Sequence, residues 1–347
     1  MTAAAQRADE KWMRRSLALA ARGGRAAWPN PKVGCVLVKN GRLLASSWHR
    51  RCGGPHAEPL ALAKAGTRAK GATAYLTMEP CCAHPGKRTP PCANALVAAR
   101  VARVVAAMKD PNPAVAGRGL ALLKRAGIKT ESGLLAQEAE ALNKPFICRM
   151  RHKRPYVILK SALSLDGKAF ARGGASRWIT GPGARAAVHK LRARVDAVLV
   201  GVNTAIMDDP ALTAHGLGPN PLAVVLDAHL RLPRRSRLLR GPRRPIIFTS
   251  SSRTLRNAEV VRVPSKAGLL NLKAVLAELA KRQCGLLLVE GGPTVHASFL
   301  AAGFVDEVYA FIAPKLLGAA RDPNTAPRLA QPRLTRVGSD FLFYGRL

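Results

Sequence analysis

Acidic and aromatic residues are both scarce in this chain of 347 residues. Asp and Glu total 20 against 56 Lys and Arg, which gives a formal net charge of +36, and aromatic residues make up only 5%. A basic surface attracts phosphate groups. Because the basic residues are spread along the whole chain and few aromatic rings could stack on bases, we interpret the charge as compositional bias. We therefore expect a phosphorylated small molecule as partner, and no specific nucleic acid.

Long apolar runs are also missing. No stretch approaches the roughly 18 uncharged apolar residues of a membrane span. The apolar run Leu17–Ala21 ends at Arg22 and is too short for a signal peptide, whereas residues 13–20 fit one face of an amphipathic helix. We expect no membrane association and a cytoplasmic location.

The chain has seven cysteines, an odd number, and three of them fall within residues 81–92. A chain of this size does not need disulfide bonds to fold, and clustered cysteines in such a chain indicate metal binding or catalysis. We interpret the other four as ordinary structural residues: Cys35, Cys52, Cys148 and Cys284.

The length predicts about two domains. In the first, Asn40-Gly41 between two apolar runs predicts a hairpin of residues 33–38 and 43–47. Further apolar runs predict strands over residues 72–77 and 101–108, and helices over residues 56–64, 91–100 and 119–126, the last ending at Gly127. This order predicts a three-layer α/β domain.

A basic stretch, residues 149–154, precedes a second α/β series. We predict domains over residues 1–148 and 155–347, joined by this linker. Strands are predicted over residues 156–161, 197–202, 222–226, 246–249, 285–290 and 307–312. Helices are predicted over residues 184–193, 272–282 and 295–302.

Four residues of the first domain form a pattern with a specific chemistry. His56 and Glu58 open a predicted helix, Cys81 follows a strand and Pro80, and Cys92 opens the next helix. One imidazole and two thiolates leave tetrahedral zinc an open position, which is typical of a catalytic site. A nearby carboxylate that is not a ligand, Glu58, then moves protons. This H-x-E and P-C order is the signature of zinc nucleobase deaminases.

Several alternatives stay open on the residues alone. Cys81 and Cys92 are eleven positions apart rather than three, and Cys82 or His84 compete as ligands. We favour Cys81 because it directly follows Pro80. A zinc ion that only stabilises the fold is a second possibility. A deaminase acting on tRNA or single-stranded DNA is favoured by the charge and disfavoured by the scarce aromatic residues.

Several longer sequence motifs, in both halves of the chain, indicate a specific protein family. They are residues 29–34, 77–81, 88–92, 110–113 and 115–119 in the first half, and residues 164–168, 178–180, 208–213, 290–293 and 313–318 in the second. Together they resemble the bifunctional deaminase–reductases of riboflavin biosynthesis over nearly the whole chain. The resemblance implies an α/β chain with an N-terminal cytidine-deaminase-like three-layer domain and a C-terminal dihydrofolate-reductase-like domain.

The resemblance implies two consecutive reactions. Zinc-activated water would hydrolytically deaminate 2,5-diamino-6-(5-phosphoribosylamino)pyrimidin-4-one, with Glu58 carrying the proton. NADPH would then reduce the ribose to a ribityl chain. No G-x-G-x-x-G motif opens the second domain, so the cofactor is implied by the resemblance alone. Chains of this family commonly associate, so the resemblance is compatible with a homo-oligomer. A chain in which only one of the two domains is active stays an alternative.

The resemblance also implies roles for individual residues. Asn30 would hold the pyrimidine. The implied contacts to NADPH are Leu163, Trp178, Thr204, Asp208, Gly292, Pro293, Thr294, Val295, His296, Ala297 and Ser298. The implied contacts to the reductase substrate are Lys160, Ser176, Arg192, Leu212, His215 and Glu290.

Two positions depart from the family pattern. His215 stands where the family often has Arg at a substrate-phosphate position, and histidine is only partly charged near neutral pH. We expect neighbouring arginines to compensate. Ala228 stands where a residue with a hydroxyl group often contacts the cofactor, so one hydrogen bond at most is lost.

Overall fold

The computed structural model describes residues 3–83, 89–170, 179–318, 328–337 and 340–346. The chain divides into two units, Met1–Lys153 and Arg154–Leu347. Among the described helices, none combines the length and the apolar character that crossing a membrane requires.

The first unit alternates helices and strands around one sheet. Its helices are α1 (Ala3–Ala21), α2 (Ala57–Ala65), α3 (Cys92–Ala98), α4 (Arg118–Arg125) and α5 (Ala136–His152). Its strands are β1 (Gly34–Lys39), β2 (Arg42–Trp48), β3 (Thr73–Leu76), β4 (Arg103–Ala106) and β5 (Lys129–Ser132).

The predicted hairpin is confirmed as β1 and β2. Asn40 and Gly41 both have positive φ angles, 50° and 71°, which is what a two-residue hairpin turn requires. The sheet order is β2-β1-β3-β4-β5; β1 is antiparallel to β2 and β3, and β3, β4 and β5 are parallel. The predicted helices near residues 56, 91 and 119 are confirmed as α2, α3 and α4.

Apolar residues cover both faces of this sheet. One cluster packs α2, α3 and α4 against one face through Ala61, Leu96 and Leu123. Another packs α1 and α5 against the other face through Met13 and Phe146. The result is the predicted three-layer arrangement, with the amino ends of α2 and α3 next to each other.

Two elements of this unit differ from the sequence prediction. Strand β5 has the sequence KTES at an edge of the sheet, and no apolar pattern marks it. The predicted linker, residues 149–154, is helical as far as His152, because α5 continues through it. Lys153, with φ 56°, ends that helix, so most of the basic stretch belongs to the first unit.

The second unit is built on a parallel sheet. Its helices are α6 (Pro182–Arg192), α7 (Val202–Asp208), α8 (Leu272–Lys281) and α9 (Pro293–Ala301). Its strands are β6 (Tyr156–Ser164), β7 (Ala197–Gly201), β8 (Leu222–Leu226), β9 (Ile246–Thr249), β10 (Glu259–Arg262), β11 (Ser265–Lys266), β12 (Leu269–Leu270), β13 (Leu286–Val289), β14 (Glu307–Ala313), β15 (Ala330–Val337) and β16 (Asp340–Arg346).

The main sheet has the order β10-β9-β8-β7-β13-β6-β14, with every described pair parallel. Its central strands are continuous apolar runs because both faces are covered. Leu276 and Phe299 pack α8 and α9 on one face, and Leu191 and Ala205 pack α6 and α7 on the other. All six strands predicted for this half and all three helices are present. The carboxyl ends of β7, β8 and β13 therefore meet at one edge, where ligands bind in sheets of this kind.

Candidate active sites

Three ligand atoms of the first unit converge, as the motif predicts. His56 caps the amino end of α2, and Cys92 is the first residue of α3. The Nδ1 of His56 lies 3.6 Å from the Sγ of Cys81 and 3.3 Å from the Sγ of Cys92, and the three atoms lie within 4.8 Å of one another. One nitrogen and two sulfur donors suit tetrahedral zinc with one position open.

Local hydrogen bonds orient these three residues. The backbone N–H of Cys92 donates to the Sγ of Cys81 at 3.4 Å, and the Oγ1 of Thr89 lies 3.5 Å from the Nε2 of His56. Such outer contacts fix the ring and the thiol directions of a metal site. Without a cation, the hydrogen bond to Cys81 and burial raise the pKa of the Cys92 thiol well above its usual range. A coordinated metal reverses this effect, because it deprotonates the thiol.

The structure separates Cys81 from its competitor Cys82. The side chain of Cys82 is buried and its Sγ lies 4.0 Å from the carbonyl oxygen of Ala114, away from the His56 cluster. The other competitor, His84, lies outside the described residues. The donor set that the described residues assemble is therefore the one favoured from the sequence.

Glu58 is a buried carboxylate beside this cluster. Its residue is only 3% exposed, and the Oε2 atom is buried without a hydrogen-bond partner among the described residues. Burial raises the pKa of Glu58, and the neighbouring Cys81 raises it further. An unpartnered buried oxygen costs free energy unless a ligand satisfies it. Such an atom next to three metal-type donors indicates a catalytic site rather than a structural zinc site.

Asn30 is held by a histidine that the sequence analysis did not single out. The Nδ1 of His49 lies 3.0 Å from the carbonyl oxygen of Pro55, which can only accept, so Nδ1 carries the proton. The Nε2 of His49 then accepts from the amide nitrogen of Asn30 at 3.1 Å. Burial lowers the pKa of His49, which keeps this neutral form. The amide oxygen of Asn30 is thereby oriented to accept a hydrogen bond from a ligand.

Glu79 fixes the loop that follows the zinc motif. Its carboxylate is buried and accepts backbone N–H groups from Asp110 at 3.2 Å, Gly117 at 2.9 Å and Leu120 at 3.1 Å. Two of these donors lie at the amino end of α4, where a negative charge is favourable. Glu79 therefore ties the segment before α4 to the chain two residues before Cys81.

A close backbone approach strengthens this attachment. A Cβ atom at Gly119 would lie 2.0 Å from the carbonyl oxygen of Pro80, so only glycine fits there. Both segments belong to the motifs that carry the family resemblance, but no pattern in the sequence predicts that they touch.

In the second unit, four predicted substrate residues line one cavity of about 420 Å³: Lys160, Arg192, His215 and Glu290. Arg192 donates to both carboxylate oxygens of Glu290, at 2.7 and 2.9 Å, and both side chains are largely buried. Burial raises the pKa of Glu290, but Arg192 outweighs it and the net pKa lies below its usual value. Burial lowers the pKa of Lys160, so its ammonium gives up a proton more readily than an exposed lysine.

His215 lines this cavity next to three further basic side chains, which are His189, Arg185 and Arg237. His215 stacks on His189, with ring centroids 4.0 Å apart and planes inclined by 21°. Arg185 and Arg237 also line the cavity, and neither was predicted from the sequence. Burial and the nearby His215 lower the pKa of His189. Two arginines therefore line the cavity together with His215.

The second unit also has a larger cavity, of about 710 Å³. Its lining includes Thr204 of α7 and the start of α9, where Gly292 is the N-cap and Pro293 the first helical residue. The predicted turn into a helix is thus present, and the amino end of a helix favours a phosphate group. Of the predicted cofactor contacts, the residues that line this cavity are Thr204, Gly292, Pro293, Thr294, Val295 and Ser298.

The remaining predicted residues of this unit lie elsewhere. Asp208, predicted to touch the cofactor, lines the smaller cavity. His296 and Ala297 lie on α9 and are not among the residues that line the larger one. Leu163 lies on β6 next to the cavity residue Ala162, and Leu212 is packed in the core with φ 51°. Ser176 and Trp178 lie outside the described residues.

Each of the two units matches a model of a known protein family. A family model described as the cytidine and deoxycytidylate deaminase zinc-binding region matches residues 6–108. A second model, described as the RibD C-terminal domain, matches residues 155–342.

The similarity to characterised relatives extends over the whole chain. The riboflavin biosynthesis protein RibD of Escherichia coli is 45% identical over 339 residues, which cover 92% of each chain. The structure of Acinetobacter baumannii RibD has a TM-score of 0.80 at 39% identity and covers 97% of this chain and 98% of its own. A Thermotoga maritima diaminohydroxyphosphoribosylaminopyrimidine deaminase/5-amino-6-(5-phosphoribosylamino)uracil reductase has a TM-score of 0.79 at 34% identity, with the same coverage.

Proposed function

Because this chain belongs to the RibD family of riboflavin biosynthesis, we propose that its two reactions take place at the two sites described above. The chain is a bifunctional enzyme, with a zinc-dependent deaminase domain and an NADPH-dependent reductase domain. We assign these domains to residues 1–148 and 155–347. The deaminase assignment rests on the Oε2 of Glu58, which has no hydrogen-bond partner among the described residues and lies beside His56, Cys81 and Cys92.

Zinc fits the donor set of His56, Cys81 and Cys92, and when bound it makes water nucleophilic near neutral pH. Glu58 takes the proton of the attacking water through its buried carboxylate. It then returns the proton to the amino group that leaves as ammonia. Burial favours this exchange, because a raised pKa lets the carboxylate hold the proton between the two steps.

Asn30 orients the pyrimidine in this site. Its amide nitrogen is committed to His49, so its oxygen accepts from an N–H group of the ring or its amino substituents. The substrate proposed is 2,5-diamino-6-(5-phosphoribosylamino)pyrimidin-4-one, which offers several such donors. His49 is a positioning residue, because it acts through Asn30.

The reductase reaction is proposed for the smaller cavity of the second unit. Residues 292–298 at the amino end of α9 would hold the phosphates of NADPH, which would supply the hydride. Lys160 provides a proton to the opened ribose as the hydride arrives, which its lowered pKa favours. The hydrogen bonds between Arg192 and Glu290 fix both side chains, which position the ribose hydroxyls.

The phosphate of the substrate binds at the basic side of this cavity. Arg185 and Arg237 carry full positive charges there, and the stacked pair His189 and His215 adds ring N–H donors. An Arg guanidinium recognises phosphate with paired hydrogen bonds. These arginines therefore supply the positive charge that binds the phosphate.

A second copy of the chain is proposed to cover strand β14. This strand is at the edge of the main sheet, and Val308, Tyr309 and Ile312 are 56%, 38% and 42% exposed on it. Exposed apolar edges of this kind favour association. Light scattering is expected to show a dimer that Ile312→Asp dissociates and that the hairpin variant Leu43→Asp leaves intact; a monomeric wild type would contradict the proposal.

A cytoplasmic location and the absence of a specific nucleic-acid partner are also proposed. No disulfide bond joins the seven cysteines, all of which the structure describes, and thiolate ligands need reducing conditions. The basic charge is spread along the chain rather than gathered in one segment with aromatic residues. Weak RNA binding that disappears at physiological salt is expected; tight, sequence-dependent binding would contradict this proposal.

Mass analysis of the reaction products tests the proposed function. The purified protein is incubated with the diaminopyrimidine substrate, with and without NADPH. Without NADPH we expect replacement of one amino group by oxygen, and with NADPH a further gain of two hydrogens. An unchanged substrate mass would contradict the deaminase assignment, and a product that never gains hydrogen would contradict the reductase assignment.

A further inference from the structure

The larger cavity of the second unit contains two cations that the proposed reactions do not use. Its walls come from residues after β7, β8 and β13 and from the amino ends of α8 and α9. The described residues that line it include the cations Arg231 and Lys273 and no Asp or Glu.

The lack of a carboxylate bears on which nicotinamide cofactor fits. Sites for NADH commonly use an Asp or Glu to bind the 2′-hydroxyl of the adenosine ribose, whereas sites for NADPH use a cation to bind the 2′-phosphate. A cavity lined by Arg231 and Lys273 fits a phosphate there, and its described lining residues include no carboxylate that would repel one.

Arg231 is held in place without being neutralised. Its Nη2 donates to the Oδ1 of Asn203, the second residue of α7, at 2.7 Å. Within the described part of the chain, neither Arg231 nor Lys273 forms an ion pair, in contrast to Arg103, Arg154 and Arg192. An oriented guanidinium with uncompensated charge is prepared to bind an anion.

Lys273 occupies a position that is unfavourable for a cation. It lies in the first turn of α8, whose N-cap Asn271 accepts the backbone N–H of Ala274. The amino end of a helix carries positive partial charge, which repels a lysine. A phosphate bound beside Lys273 would remove this conflict and gain from both charges.

Residues that are close in sequence line the two cavities. Glu290 lines the smaller cavity and Gly292, two residues later, lines the larger; likewise Asp208 lines the smaller and Thr204 the larger. The nicotinamide ring must face the substrate in the smaller cavity. The larger cavity, which Arg231 and Lys273 line, would then hold the adenosine end.

We propose that Arg231 and Lys273 bind the 2′-phosphate on the adenosine ribose of NADPH and so select NADPH over NADH. The inference rests on the proposed placement of the cofactor phosphates at residues 292–298. The missing hydroxyl at Ala228, which also lines the cavity, leaves this recognition to the two cations.

Calorimetric titration of the full chain with adenosine 2′,5′-bisphosphate and with adenosine 5′-monophosphate tests the proposal. The two probes differ only in the 2′-phosphate, and neither depends on catalysis. Arg231→Gln and Lys273→Gln are each expected to weaken binding of the bisphosphate by about 10- to 100-fold, the effect of losing charge-assisted hydrogen bonds. Binding of the monophosphate should change by less than about twofold, because it does not reach these side chains.

Matched controls separate this effect from a general loss of positive charge. Lys281→Gln removes the same charge from the other end of α8, and Arg262→Gln removes an exposed arginine at the end of β10. Neither control should alter the ratio of the two affinities. If Arg231→Gln weakens binding of both probes equally, or if the ratio of the two affinities is unchanged in both cavity variants, the proposal is overturned but the cofactor placement is not. A wild-type protein that binds neither probe would overturn the cofactor placement itself.

Discussion

The amide nitrogen of Asn30 lies 3.1 Å from the Nε2 of His49, and this bond gives the proposed pyrimidine contact its direction. His49 is fixed in turn by the carbonyl oxygen of Pro55, and its ring packs edge-on against that of His56, with centroids 5.3 Å apart. The substrate contact and a zinc ligand are therefore aligned by one buried histidine.

Replacing His49 by Phe should weaken pyrimidine binding more than it slows the chemistry. The ring contact with His56 is kept, but Asn30 loses its acceptor. We expect KM for deamination to rise about tenfold with kcat and zinc content little changed, since one neutral hydrogen bond is worth about 0.5–1.5 kcal/mol. Steady-state kinetics checks this, with the exposed His152→Phe as control. A KM equal to that of wild type would contradict the positioning role.

Replacing Glu79 by Gln should destabilise the first unit and loosen the zinc site. A neutral amide accepts the three backbone N–H groups poorly and brings two donors of its own. We expect a loss of about 3 kcal/mol in the free energy of unfolding, because hydrogen bonds to a buried charge are strong. Urea denaturation and zinc content per chain are the measurements.

The same change at Glu131 is the control for Glu79. Glu131 pairs with Arg103 at the surface, and such pairs contribute about 0–1 kcal/mol. Equal effects of the two substitutions would show that the buried contacts of Glu79 do not fix this segment.

The first site shows most clearly which features could be predicted from the sequence. His56, Cys81 and Cys92 were predicted because each stands at the end of an element and carries a ligand type, and those ends meet once the sheet forms. His49 was not predicted, because a single histidine after a strand has no distinctive pattern. Its role depends on Asn30, 19 positions earlier, and that pairing exists only in the folded chain.

The second site shows the same limit more strongly. Arg192 and Glu290 are 98 positions apart and were predicted as substrate contacts only through family resemblance. Their bond to each other follows from the crossover connections of the parallel sheet, which no local pattern reports. Arg185 and Arg237 were missed because isolated arginines are abundant in this chain, and only the cavity distinguishes them.

Removing Arg192 should make stability depend on pH in a specific direction. In wild type the pKa of Glu290 is lowered, so the pair contributes its full stability above the ordinary pKa of Glu near 4.5 and loses it as pH falls below that value. In Arg192→Ala, burial is no longer offset, and the pKa of Glu290 should rise. Lys160 and His189, which also face Glu290, offset this only in part.

The deficit of Arg192→Ala against wild type should therefore be largest near pH 7.5, about 3 kcal/mol, and shrink toward pH 4.5 as Glu290 is protonated. Urea unfolding at several pH values measures it. Arg282→Ala, which breaks the surface contact with Glu278, serves as control and should cost about 0–1 kcal/mol. A deficit that is constant with pH would contradict the account of this pair.

Changing the basic side of the smaller cavity should alter the KM of the reductase. Arg237→Gln should raise KM for the phosphorylated substrate by about tenfold or more, because it removes charge-assisted hydrogen bonds to phosphate. His215→Arg should lower KM, because a guanidinium binds phosphate with paired hydrogen bonds. Arg240→Gln, in the same short helical turn Arg237–Arg240, is the control. If KM is unchanged in both cavity variants, the substrate phosphate binds elsewhere.

The central claim is tested most directly by giving the Glu58→Gln variant the diaminopyrimidine substrate and NADPH and measuring the mass of the product. We expect zinc content and fold to be retained, and neither loss of the amino group nor gain of hydrogen, because the reductase receives no deaminated intermediate. When the deaminated intermediate is supplied instead, the variant should add two hydrogens at the wild-type rate. Deamination at the wild-type rate by Glu58→Gln would contradict Glu58 as the proton carrier, and failure to reduce the supplied intermediate would contradict two separate active sites on one chain.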